Sequence, residues 1–257
     1  MKNKGFTLVE LAIVIIILAL IAAGIVAAQN MVKQSKLRSL VTQLNEYDSA
    51  INIFKENYDA IPGDMYDAYT YFGNACDGTS SNCNGDGSGI IEWVATSGQE
   101  SNLEDLRAWQ HLKLAELVRD NFTGTHQSSN FIGYTLPATK MSGGCISYLR
   151  TGHSSSIHDY GRFKNFKNGF YIGKPSTSAT LVGRICGLPL FKPKEAYTID
   201  LKMDDGYPYT GRMNIRASES DGCVGANSAA DQAAATSGSE YKISGDIVAC
   251  NLIYQTE

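Results

Sequence analysis

Hydrophobic and polar positions fall into three regimes along the chain. From Phe6 to Ala28 the side chains are apolar except for Thr7 and Glu10, and the run from Leu11 to Ala28 is unbroken. That length suits a helix crossing a bilayer, which needs about 20 apolar residues. After Gln29 the pattern becomes a stripe. Leu37, Leu40, Leu44, Tyr47, Ile51, Phe54 and Tyr58 recur at alternating steps of three and four, which marks one face of an amphipathic helix. Pro62-Gly63 breaks the pattern. Together the first two regimes predict one helix from Phe6 to about Ala60, roughly 80 Å long at 1.5 Å per residue.

The third regime is a head of mixed elements. Asp64 is placed to cap a short helix with Met65, Ala68, Tyr69 and Phe72 on its apolar face and Gly73 at its end. Asn102 to Arg119 predicts another helix, with Leu103, Leu106, Trp109, Leu112 and Leu117 turned inward. Pro193 to Asp205 predicts a third, opened by proline and stopped by Gly206. Between Phe131 and Phe191 come short apolar runs separated by Gly and Pro: FIGYTLP, CISYL, GFYIG and TLVGRICGL. With Ile247 to Tyr254 they predict strands of an antiparallel sheet. The expected fold class is α+β: a long N-terminal helix, membrane-spanning in its first half, laid against an antiparallel sheet head. The expected organisation is a leader at 1–5, a membrane helix at 6–29, its amphipathic continuation at 30–60 and one globular head at 61–257.

Glu10 changes the picture. A carboxylate within a membrane helix costs about 2.5–3.5 kcal/mol on insertion scales and usually has a function. Lys2 and Lys4 precede the apolar run, which by the positive-inside rule keeps the N-terminus cytoplasmic and exports the head. A cleaved secretory signal would have a shorter apolar core without an acid, cut at small residues; Ala27 and Ala28 offer such a place. A plain membrane anchor leaves Glu10 unexplained. The segment Gly5-Phe6-Thr7-Leu8-Val9-Glu10 resembles the type IV prepilin cleavage motif: a short basic leader ending in Gly, then Phe, then Glu at the fifth mature position.

The resemblance implies a fate for these residues. A prepilin peptidase at the inner membrane would cut between Gly5 and Phe6 and methylate the new N-terminus. Glu10 would pair with the N-terminal amine of a neighbouring subunit, since a buried charge is tolerable when paired and costly alone. The partners implied are other pilin or pseudopilin subunits, the peptidase and an inner-membrane assembly platform. Many pilus-forming members carry a proline in the membrane helix. None occurs here, which leans towards a minor subunit of a type IV pilus or type II secretion pseudopilus. Tyr58–Asp64 and Ala196–Pro208 also resemble recurrent segments of pilin-like proteins.

Six cysteines, Cys76, Cys83, Cys145, Cys186, Cys223 and Cys250, lie beyond the membrane run. On the exported, oxidising side they predict disulfides. Sequence alone does not select the pairing; pairing in chain order is the working expectation. Cys76–Cys83 would staple a polar loop, Cys145–Cys186 would join two strands, and Cys223–Cys250 would enclose a low-complexity stretch. The last pair resembles the disulfide-bounded C-terminal region of many pilins. Zinc is disfavoured because no two cysteines have the short spacing of zinc sites.

Candidate chemistry is sparse. Asn82, Asn84 and Asp86 place oxygens at alternate positions, as calcium loops do, but the closing Glu of an EF-hand is missing. No G-x-S-x-G, phosphate loop or dinucleotide fingerprint occurs, so no enzyme is expected. Net charge is −4, yet residues 140–194 carry nine Lys or Arg against one acid, Asp159. The densest part, 160–174, interleaves Arg162, Lys164, Lys167 and Lys174 with aromatic residues. Such a segment can bind an anionic partner such as DNA, meet an acidic face of the next subunit, or simply be a solvated strand. The first of these gives the alternative function: an adhesive or DNA-binding minor pilin.

Overall fold

Helix α1 runs unbroken over Leu8–Tyr58 in the computed structural model, which describes residues 7–76, 83–92, 103–125, 132–151, 167–176, 185–215, 222–225 and 240–256. Its 51 residues span about 76 Å. The helix ends two residues before the expected Ala60. Asp59 takes a left-handed conformation at φ 50° and returns its N–H to the Lys55 carbonyl. The stripe does what its spacing requires: Leu37, Leu40, Leu44, Tyr47, Ile51 and Phe54 are buried, with Ala50 between them. No residue from Leu8 to Lys36 is buried. One helix therefore serves two environments, and the change falls at Leu37.

Among the described residues follow α2 over Ala68–Phe72, extended by a 3-10 turn at Gly73–Ala75, α3 over Glu104–Leu114 and α4 over Pro193–Met203. The sheet comprises β1 (Cys145–Arg150), β2 (Asn168–Gly173), β3 (Met213–Asn214) and β4 (Leu252–Gln255). Its order is β1-β2-β4-β3 and every pairing is antiparallel, with Tyr148 opposite Phe170 and Phe170 opposite Tyr254. This is an α+β pilin-like fold: a long N-terminal helix, an antiparallel sheet and disulfides.

The core sits where α1, α3 and the sheet meet. Trp109 of α3 packs edge-on against Tyr47 of α1, with centroids 5.0 Å apart, and stacks on Phe170 of β2 at 5.9 Å. Aromatic pairs at such separations add about 0.5–1.5 kcal/mol beyond their buried area. A polar clasp closes the far edge. Arg212, just before β3, lies over the Tyr254 ring at 4.7 Å and reaches Asp48 of α1 at 3.2 Å.

Several boundaries differ from the sequence expectation. Asp64 does not cap α2; that helix starts four residues later, and the Asp64 carboxylate accepts backbone N–H groups from Ser88 and Gly89 instead. Helix α3 stops at Leu114, well before Arg119, because Glu116 turns left-handed at φ 59°. The run from Ile132 to Pro137 forms turns rather than a strand, with Gly133 at φ 87° and only a local bridge between Ile132 and Leu136. Strand β4 begins at Leu252, not Ile247, since Ala249 and Cys250 are engaged by Phe191. Residues 180–184 of the TLVGRICGL run lie outside the described residues.

The cysteines pair in chain order: Cys76–Cys83, Cys145–Cys186 and Cys223–Cys250, with Cα separations of 5.2, 5.5 and 5.2 Å. Cys145 belongs to β1, whereas Cys186 lies outside any strand.

Candidate functional site

The tip of α1 is built by a reciprocal cap. Thr7 is the N-cap: its Oγ1 accepts the Glu10 N–H at 3.3 Å. The Thr7 N–H and hydroxyl both donate to Glu10 Oε2, at 2.8 and 2.7 Å. This capping box satisfies helix-end donors that have no partner within the helix. It also draws the Glu10 carboxylate back to the Thr7 end of the helix. Gly5 and Phe6 themselves lie outside the described residues. The part played by Thr7 was missed in reading the sequence, although Thr-x-x-Glu ahead of an apolar run is the signature of such a box.

Below this tip the apolar face is complete. Leu8, Leu11, Ile16, Leu20 and Val26 are all more than half exposed. This is the only described helix long and apolar enough to cross a membrane.

A second constellation lies in the head. The carboxylates of Asp64, Asp86 and Glu104 come within 4.8 Å of one another. They hold the loop 85–92 through its backbone. Ser88 and Gly89 donate to Asp64, while Asp86 and Glu92 donate to Glu104 at 3.1 and 2.9 Å. Burial pushes the Asp64 carboxyl up to about 6 and that of Glu104 to about 7, against the pull of these N–H groups. Close approach explains two glycines. A Cβ on Gly63 would lie 2.3 Å from the Glu104 carbonyl, and one on Gly85 would lie 2.3 Å from Asp64 Cα.

His111 completes this layer. Its Nδ1 accepts the Gly63 N–H at 2.9 Å and its Nε2 faces the Cys83 carbonyl at 2.9 Å, so the neutral tautomer with the proton on Nε2 fits both. Burial drives its pKa down to about 4.

Of the residues expected for calcium, Asn82 lies outside the described residues. Asn84 gives its side-chain oxygen to the Tyr69 N–H at 2.8 Å. Asp86 turns towards Asp64 and Glu104, partners that its local sequence did not reveal because they lie about 20 residues away on either side. Of the basic segment, Arg162 and Lys164 lie outside the described residues. Lys167 and Lys174 are exposed at opposite ends of β2, separated by roughly 20 Å of strand. Phe170 between them is buried. The described part of this segment therefore forms no single cationic cluster.

With this geometry in hand, the comparison with known families is specific at one end of the chain. Residues 1–26 match the prokaryotic N-terminal methylation motif. No curated protein and no solved structure matches the chain. The motif, the long apolar helix and the disulfide-linked α+β head fit a type IV pilin-like protein. Such motifs mark pilin-type structural proteins, which are typically not enzymes, and imply prepilin peptidase processing and assembly with other pilin subunits. The apolar helix and motif are consistent with inner-membrane anchoring.

Proposed function

We propose that the chain is a prepilin processed to a minor subunit of a type IV pilus or type II secretion pseudopilus. The observation that carries this reading is the division of α1: a packed half from Leu37 onward and an unburied apolar half that ends in the Thr7–Glu10 box. An apolar helix surface of that extent needs lipid or other helices against it. In the membrane the head faces the periplasm. Cleavage after Gly5 leaves the Phe6 amine at the helix end, and on assembly Glu10 meets the amine of a neighbouring subunit. The charge is then paired as it leaves water, which sets axial register. The absence of proline from the membrane half supports a minor subunit over a major one.

Glu10→Val tests this reading. The variant should insert at least as well as wild type, because a desolvation cost disappears. It should be cleaved, yet be recovered in sheared filaments at a small fraction of the wild-type level. Wild-type incorporation of Glu10→Val would contradict the pairing.

A further inference from the structure

Where α1 leaves its apolar run, a groove of about 650 Å³ opens between the helix and the underside of the head. Volumes of about 300–1,000 Å³ are typical of sites for small organic ligands. Ile25 and Val32 of α1 form one wall, and Leu190 and Val248 of the head form the other. The rim is basic: Lys33, Lys36 and Lys174 all line it. An apolar floor below and cations above match the profile of a phospholipid at a membrane surface.

The cations are not equivalent. Lys33 is engaged by Glu195 at the start of α4, and nearby Lys192 is engaged by Asp246. Lys36 and Lys174 are exposed and have no acidic partner among the described residues. The head loop beside them is apolar: Ile247 and Val248 are about half exposed or more. Basic residues just beyond a membrane helix oppose export of that flank. Lys33, Lys36 and Arg38 sit on the flank that must be exported, so charge bias alone gives no reason for them there.

We propose that this groove binds an anionic phospholipid of the bilayer that holds α1, with the lipid phosphate on Lys36 and Lys174 and its first acyl carbons along Ile25 and Val32. The inference rests on the reading that Leu11–Ala28 lies in a bilayer. The bound lipid fixes the head against the membrane surface, and it must be released when the helix is withdrawn for assembly.

The test uses the full chain in nanodiscs of phosphatidylcholine doped with phosphatidylglycerol, followed by native mass spectrometry of retained lipid. Wild type should keep one phosphatidylglycerol in preference to phosphatidylcholine. Each surface lysine contributes roughly fivefold to attraction for anionic lipid, so Lys36→Gln/Lys174→Gln should weaken retention about 25-fold. Lys202→Gln, at the far end of α4, should leave it unchanged. Ala28→Trp, at an exposed helix position, fills the groove from the helix side and should expel the lipid with both lysines intact. Equal retention of the two lipids overturns the proposal. So does unchanged retention in the double variant and in Ala28→Trp, or a dimer without lipid, which would assign the groove to a second copy's helix. Failure of the wild type to enter nanodiscs at all would strike the membrane reading itself, and the lipid site with it.

Discussion

His111 is a polar group in apolar surroundings, and Glu10 is one once the proposed membrane surrounds α1; both are held by hydrogen bonds to backbone. His111 accepts from Gly63 and faces the Cys83 carbonyl, an arrangement that holds the neutral ring. Its folded pKa of about 4 lies below the ordinary value of 6.5. Between these values the unfolded chain takes a proton that the folded chain refuses, so this contribution to stability is full above about pH 6.5 and is lost as pH falls towards 4. The loss is on the order of 3 kcal/mol, at about 1.4 kcal/mol per pK unit. Asp64 and Glu104 act in the opposite sense, since their raised pKa values favour the fold at the acid end. A difference measurement isolates the histidine. The destabilisation caused by His111→Gln, read by denaturant unfolding of the head, should shrink as pH drops from 7 to 4. A gap that stays constant would contradict a buried neutral imidazole. At this scale the sequence was legible only where partners are close in the chain. The Thr7–Glu10 spacing of three carries its own signature. The partners of His111 are 48 and 28 residues away, and no local pattern announces them.

Elements were legible where periodicity or end signals were strong. The three-four spacing of Leu37 to Phe54 required one buried face, and the fold supplies it. Pro193 and Gly206 bracketed α4 to within three residues. Strands were less readable because β1 and β2 are buried on both faces, so alternation is absent. The run around Gly133 has strand-like composition, but its glycine adopts a left-handed turn. Strand β3, two residues long, carries no signal of its own and exists because β4 and Asp204 hold it: Asp204 accepts the Arg212 and Met213 N–H groups. The division of α1 predicts a sharp contrast. Leu44→Ala removes a fully buried side chain and should destabilise the head by about 2–5 kcal/mol. Leu18→Ala, made on the unburied half, should leave head stability unchanged in detergent. Equal effects from the two would mean that the helix is not partitioned as described.

As a whole, the molecule leaves the apolar surface of α1 unburied from Leu8 onward while its head is packed. The head has its own core, three disulfides and a polar clasp at Asp48–Arg212. Among the described residues none buries the apolar half of α1, which in the proposed function passes from bilayer to filament core. The sequence carried this division clearly, because the motif and the apolar run are both local. It could not carry the base of the head, where Lys36, Lys174 and Val248 meet only after folding. In the proposed function the leader is removed at Gly5–Phe6 and the new terminus is the assembly end. Mass spectrometry of the N-terminal peptide from membrane and filament fractions tests it most directly. The peptide should begin with N-methylated Phe6. A protein that retains Met1 to Gly5 in every fraction, or one cut near Ala27 or Ala28 as a secretory signal would be, would contradict it.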